Sequence, residues 1–169
     1  MNFSHVNVFN HWRIWLKDLK NIYLMCAVPG ATASGLSNPA SKTQAYKIFS
    51  NSLSSKKYDE IIVMLGEIDT GFVIWYRAKK YNEDINQMFN QAIKRYSDFI
   101  YRCSKFAKVT VISTPLPTIR DNELNGDVAF QRQEVKISQI ERTKMTLRFN
   151  SKISEFCSNN KFIFLSPKI

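Results

Sequence analysis

Apolar residues in this chain fall into two kinds of run. Short, mostly unbroken ones occur at Ile22–Val28, Ile61–Leu65, Val109–Ser113 and Lys161–Leu165. Ile61, Ile62, Val63, Met64 and Leu65 are five apolar residues in a row, closed by Gly66. Such a run, rich in β-branching and ended by a turn former, predicts a strand buried on both faces of a parallel sheet. Longer stretches instead repeat their apolar residues at threes and fours, the period of a half-buried helix. The clearest runs from Ile85 through Met88, Phe89, Ala92, Ile93, Tyr96, Phe99 and Ile100 to Cys103. Weaker stripes cover Val6 to Leu19 (with Phe9, Trp12, Ile14, Trp15 and Leu16), Ala45 to Leu53 after Ser41, and Val135 to about Cys157. Phe72–Tyr76 is too apolar for an exposed loop and predicts a lid or a short helix.

Pro29-Gly30, Gly66, Pro115, Pro117 and Asn125-Gly126 punctuate these runs. Helices alternating with short apolar strands predict a three-layer α/β/α sandwich on a parallel sheet. No repeat, low-complexity tract or linker divides the chain, so residues 1–169 are expected to form a single domain. One step is incomplete: Met1–Phe3 is too short to be the strand that should precede the first helix.

Composition narrows the function classes. The chain has 169 residues, 44% of them hydrophobic and 13% aromatic, enough for a proper core. No stretch reaches the roughly 20 apolar residues of a membrane span. Arg13, Lys17, Asp18 and Lys20 interrupt the amino-terminal apolar region, so no signal peptide is expected. Cys26, Cys103 and Cys157 are odd in number and lack metal-site or CxxC spacing. Cys26 and Cys103 read as small core residues, and a reducing cytoplasm suits all three. The formal charge is +10. Its lysines and arginines are scattered, with pairs such as Lys56-Lys57 and Lys79-Lys80 as the only clusters, so nucleic acid is not the expected partner. No GxGxxG or Walker sequence is present, and neither a cofactor nor a metal is expected.

In open α/β sheets ligands bind beyond the carboxyl ends of the strands. The loops there carry Ser4-His5, Pro29-Gly30-Ala31-Thr32, Gly66-Glu67-Ile68-Asp69 and Thr114–Thr118. Ser4 has two readings: a helix N-cap, or a nucleophile that needs a base. Glu67 and Asp69 are either functional carboxylates or groups that cap the next helix or hold an arginine. Trp75 and Tyr76 either stack on a sugar or pack under a lid. Arg120, Arg132 and Arg142 either bind an anionic or sugar substrate or form surface pairs.

Taken together these loops resemble the blocks of the SGNH (GDSL-type) hydrolase family. Phe3-Ser4-His5-Val6 is similar to its first block in the Gly-Asp-Ser-His variant. Pro29–Leu36 is similar to the second, whose glycine lends a backbone N–H to the oxyanion hole. Leu65-Gly66-Glu67-Ile68-Asp69 is similar to the third, Gly-x-Asn-Asp. The resemblance spans about Phe3 to Leu165. It implies a flavodoxin-like sheet and esterase or carbohydrate O-acetylesterase activity on a small-molecule or glycan ester. Ser4 would attack the carbonyl, and the N–H groups of Ser4 and Gly30 would hold the oxyanion. Glu67 or Asp69 would be carboxylate substitutes for the base, and Thr32, Trp75 and Arg120 would contact substrate.

Three departures qualify the match. Asn2-Phe3 stands in place of Gly-Asp, and Ile68 stands in place of the oxyanion asparagine. No Asp-x-x-His follows the last strand, and the only histidines are His5 and His11. The sequence therefore reads as a relative shortened at both ends, with little or no turnover. The competing expectation is a non-catalytic glycan- or protein-binding module on the same fold.

Overall fold

A computed structural model describes residues 24–121 and 135–166. Its elements, in chain order, are α1 (Ala45–Ser55), β1 (Glu60–Val63), a π-helical turn (Asp69–Val73), α2 (Ile74–Tyr81), α3 (Ile85–Cys103), β2 (Lys108–Ile112), α4 (Gln139–Asn159) and β3 (Ile163–Leu165). The strands form a parallel sheet in the order β1-β2-β3. Ile62 lies beside Thr110, which lies beside Ile163. The expected α/β class is therefore present as helices on a small three-stranded parallel sheet.

The α3 helix begins where Asp84 accepts the Gln87 N–H at 2.9 Å, an N-cap of the kind that satisfies an orphan amide. Its stripe buries Met88, Phe89, Ala92, Tyr96, Phe99, Ile100 and Cys103. At the start of α4, Ser138 accepts the Glu141 N–H and Glu141 accepts the Ser138 N–H, a reciprocal capping box. Phe149 of α4 is fully buried and meets Phe89 edge-on and Tyr96 stacked, at 6.2 and 6.0 Å between ring centroids.

Two expectations about strands are corrected. Ile61–Leu65 is not a strand buried on both faces: β1 ends at Val63, and Ile62 is 42% exposed. The cause is the connection pattern. Sequential parallel strands joined by right-handed crossovers receive their helices on one side. Ile61, Val63, Val109, Val111 and Phe164 accordingly pack into the core with α3 and α4. The other side of the sheet carries Ile62, Ile163 and Leu165, and the last two are 38% and 53% exposed. Residues 24–28 of the expected strand Ile22–Val28 form no strand either, because they make no ladder with a described strand. Ile22 and the stripe from Val6 to Leu19 lie outside the described residues.

The ambiguous stretch after β1 is helical: a π turn continues into α2. The helix expected from Ser41 starts at Ala45 instead. Successive tight turns (Ser41 N–H to Asn38 O, Gln44 N–H to Ser41 O) fill the gap, and Gln44 takes a left-handed conformation before the helix. Cys103 and Cys157 are buried, whereas Cys26 is only half-buried rather than a core residue.

Candidate functional site

The loops after β1 and β2 lock together at the carboxyl end of the sheet. Gly66 has φ +114°, and a Cβ there would come within 2.6 Å of both the Phe149 ring and Thr114 Oγ1. Only glycine fits that corner. Thr114 Oγ1 donates to Leu65 O at 2.7 Å, and the buried Tyr96 hydroxyl accepts the Leu65 N–H at 3.0 Å. Asn150 of α4 closes the second loop by accepting the Thr114 N–H and donating to Thr114 O, both at 2.8 Å. Burial pushes the Tyr96 phenol far above its usual range, so the group stays a neutral strut.

Asp69 opens the π turn and is fully buried. Its two carboxylate oxygens accept the N–H groups of Ala33, at 2.6 Å, and Ser34, at 2.9 Å. These amides lie in the turns over 32–36 that follow the Gly30 turn, so one side chain fastens the second sequence block to the third. Burial raises the Asp69 carboxyl above the ordinary 3.8, while hydrogen bonds from Ser34 and Ala33 pull it partly back. Arg95 of α3 reaches the same turn from the other side and donates to Ser34 O. Below Asp69, Thr70 donates to Gly66 O and Thr146 of α4 donates to Thr70 Oγ1. The rim thus rests on buried polar groups running from α4 to the 32–36 turns.

The sequence-predicted residues fall as follows. Ser4, His5 and His11 lie outside the described residues, as does Arg132. Gly30 sits exposed in its turn with φ +75°, and Thr32 is half-buried two residues on. Glu67 is exposed at the rim. Asp69 holds backbone with both oxygens and has no surface open to solvent, which suits a positioning role and not that of a base meeting substrate. Trp75 is half-buried, and its indole N–H donates to Thr70 O at 2.8 Å, so its polar edge serves the π turn. Arg120 is exposed on the loop after β2. Arg142 is only 5% exposed; it donates to Ile119 O and pairs with Asp121 at 3.1 Å.

Sequence reasoning missed Arg95, Asn150 and Thr146, and it put Tyr96 on the α3 stripe without its bracing role. Each lies inside a helix, where nothing local distinguishes a residue that braces a distant loop. Among the described residues no three His, Cys, Asp or Glu side chains gather as a metal site, and no helix is long and apolar enough to cross a membrane. Compared with known proteins, the chain matches no family model, no curated protein and no solved structure.

Proposed function

We propose that this chain is an SGNH-type ester hydrolase on a flavodoxin-like sheet, acting through Ser4 on carbohydrate-linked acetyl esters. The observation that carries the reading is the pair of bonds from Ala33 and Ser34 to Asp69. They join the 32–36 turns, which follow Gly30, to the Gly66–Asp69 loop at the carboxyl end of β1, where an open α/β sheet takes its ligand. In the proposed reaction the Ser4 oxygen adds to the ester carbonyl, the sugar alcohol leaves, and water then releases acetate from Ser4. The Ser4 and Gly30 N–H groups stabilise the oxyanion, an effect of about 3–4 kcal/mol per donor in measured cases. Glu67, exposed at the rim, is the carboxylate that takes the serine proton. A carboxylate is a weak base for a hydroxyl, so turnover is slow.

A second reading is a non-catalytic glycan- or protein-binding module. Two observations favour it: Ile68 offers no side-chain donor to an oxyanion, and Asp69 is consumed by backbone. Hydrolysis of p-nitrophenyl acetate and of an acetylated oligosaccharide by the full chain and by Ser4→Ala separates the two. The hydrolase reading expects turnover that the substitution abolishes. Equal rates for both chains, or none for either, would refute it, and glycan retention by both chains would then support the binding module.

A further inference from the structure

We propose that a groove between the 36–39 turn, the start of α1 and the outer side of α3 binds an acidic saccharide, one bearing carboxylate or phosphate groups. The cavity holds about 570 Å³, within the roughly 300–1,000 Å³ of small-ligand sites. Lys47, Arg95 and Arg102 all line it. Asp98 is its one acidic lining residue among those described, and Lys94 already pairs with it at 2.8 Å. Three cations against one already paired carboxylate give the groove a net positive lining.

Its geometry suits planar anions on a sugar frame. Arg95 and Arg102 stand two helical turns apart on α3, so their guanidinium groups occupy one side of the cleft. Arg102 donates to the Tyr46 hydroxyl at 2.6 Å and lies 5.2 Å from the Tyr46 ring centroid. That bond uses one of the guanidinium's five donors and holds the fork in place. Arginine forks take carboxylate and phosphate bidentately. Asn38 and Gln44 also line the groove. The Asn38 oxygen accepts the Ala40 N–H, and the Gln44 amide nitrogen donates to Pro39 O and Ser41 O. That leaves the Asn38 NH₂ and the Gln44 oxygen to meet sugar hydroxyls over an apolar floor of Leu36 and Phe99. Of its two aromatic residues only Tyr46 is exposed, and one open ring is not the ladder of stacking faces that single-stranded nucleic acid needs. Arg95 also ties the groove to the 32–36 turns through Ser34. The inference does not rest on ester hydrolysis, because it concerns binding of an unesterified ligand.

The test is calorimetric titration of the full chain with three oligosaccharides of equal length: a galacturonate, a phosphorylated one and a neutral one. The anionic ligands are expected to bind and the neutral one to bind at least about tenfold more weakly. The preferred anion tells carboxylate from phosphate. Lys47→Gln with Arg102→Gln should weaken anionic binding by about tenfold or more. Lys56→Gln with Lys57→Gln removes the same charge outside the groove and should change it by less than about twofold. Both pairs are exposed, and equal urea midpoints for the two doubles will show the fold intact. The charge reversal Lys47→Glu should weaken binding in the same direction. Equal losses in both doubles would reduce the effect to general charge attraction and overturn the proposal. Neutral sugar binding as tightly as acidic, or an oligouridylate binding as tightly as either, would overturn it too.

Discussion

Replacing Asp69 should loosen the rim before it unfolds the protein. The carboxylate is fully buried and takes the Ala33 and Ser34 N–H groups at 2.6 and 2.9 Å. Asp69→Ala leaves both amides without an acceptor. Each unsatisfied buried donor costs about 1–3 kcal/mol, so the pair costs about 2–6 kcal/mol. Some of that is returned, because a buried carboxylate carries a desolvation penalty, the same penalty that raises its pKa. A net loss of about 2–4 kcal/mol is expected, a large share of the roughly 5–15 kcal/mol of a whole domain. Asp69→Asn keeps the shape and one acceptor but turns an NH₂ toward one amide, so about 1–3 kcal/mol is expected.

Urea unfolding gives the global loss, and amide exchange at Ala33 and Ser34 locates it. Both amides should exchange faster in Asp69→Asn than in the parent, while those of α3 keep their protection. An Asp69→Asn chain with the parent's urea midpoint and protected Ala33 and Ser34 amides would refute the strut argument. The hydrolase reading would then lose the observation that carries it.

Other substitutions probe the same rim. Gly66→Ala must place a methyl within 2.6 Å of Phe149 and Thr114 at φ +114°; strain and overpacking together predict about 3–5 kcal/mol, and an unchanged melting temperature would contradict that geometry. Asn150→Leu strips both bonds from Thr114 and should cost about 1–3 kcal/mol in urea, whereas a neutral result would mean that water replaces the amide. Burial pushes the Cys103 thiol up to about 12 and the Cys157 thiol up to about 11. Iodoacetamide at pH 8 should therefore spare both in the native chain and label them only in urea, as peptide mass mapping will show. Because the folded state favours the neutral thiols, their contribution to stability is full below 9.0 and is lost as pH rises toward those raised values. Urea midpoints measured from pH 8 upward should fall more steeply for the parent than for Cys103→Ala.

Helices were more legible in this sequence than strands or the site. All seven residues that α3 buries were on the predicted stripe, and Asp84 marks its start. The α4 stripe was read from Val135, whereas the helix begins at Gln139, behind the Ser138–Glu141 capping box. Local period suffices for such elements because each helix meets the core with one face. Asp69 stood out as an acid at a strand end, but its role did not. Its partners lie 35 and 36 residues earlier, and no local pattern encodes a bond across that separation. The same holds for Asn150 on Thr114 and Arg95 on Ser34, where a helix residue braces a remote loop.

The misreading of Ile61–Leu65 has a different origin. An unbroken apolar run reports that both faces of a strand tolerate apolar side chains; it does not report how much covers each face. Coverage follows from topology. With β1, β2 and β3 laid side by side in chain order, right-handedness sends both crossovers to one face, and Ile62 and Ile163 stay partly exposed on the other. The location of the rim needs only the shared strand direction. Parallel pairing of Glu60–Val63 with Lys108–Val111 makes both strands leave the sheet at the same end whatever lies on the second face, and the Thr114–Leu65 bond fastens the two loops. A sequence can therefore place a candidate site at the correct end of the sheet while misjudging the burial of the strand that delivers it.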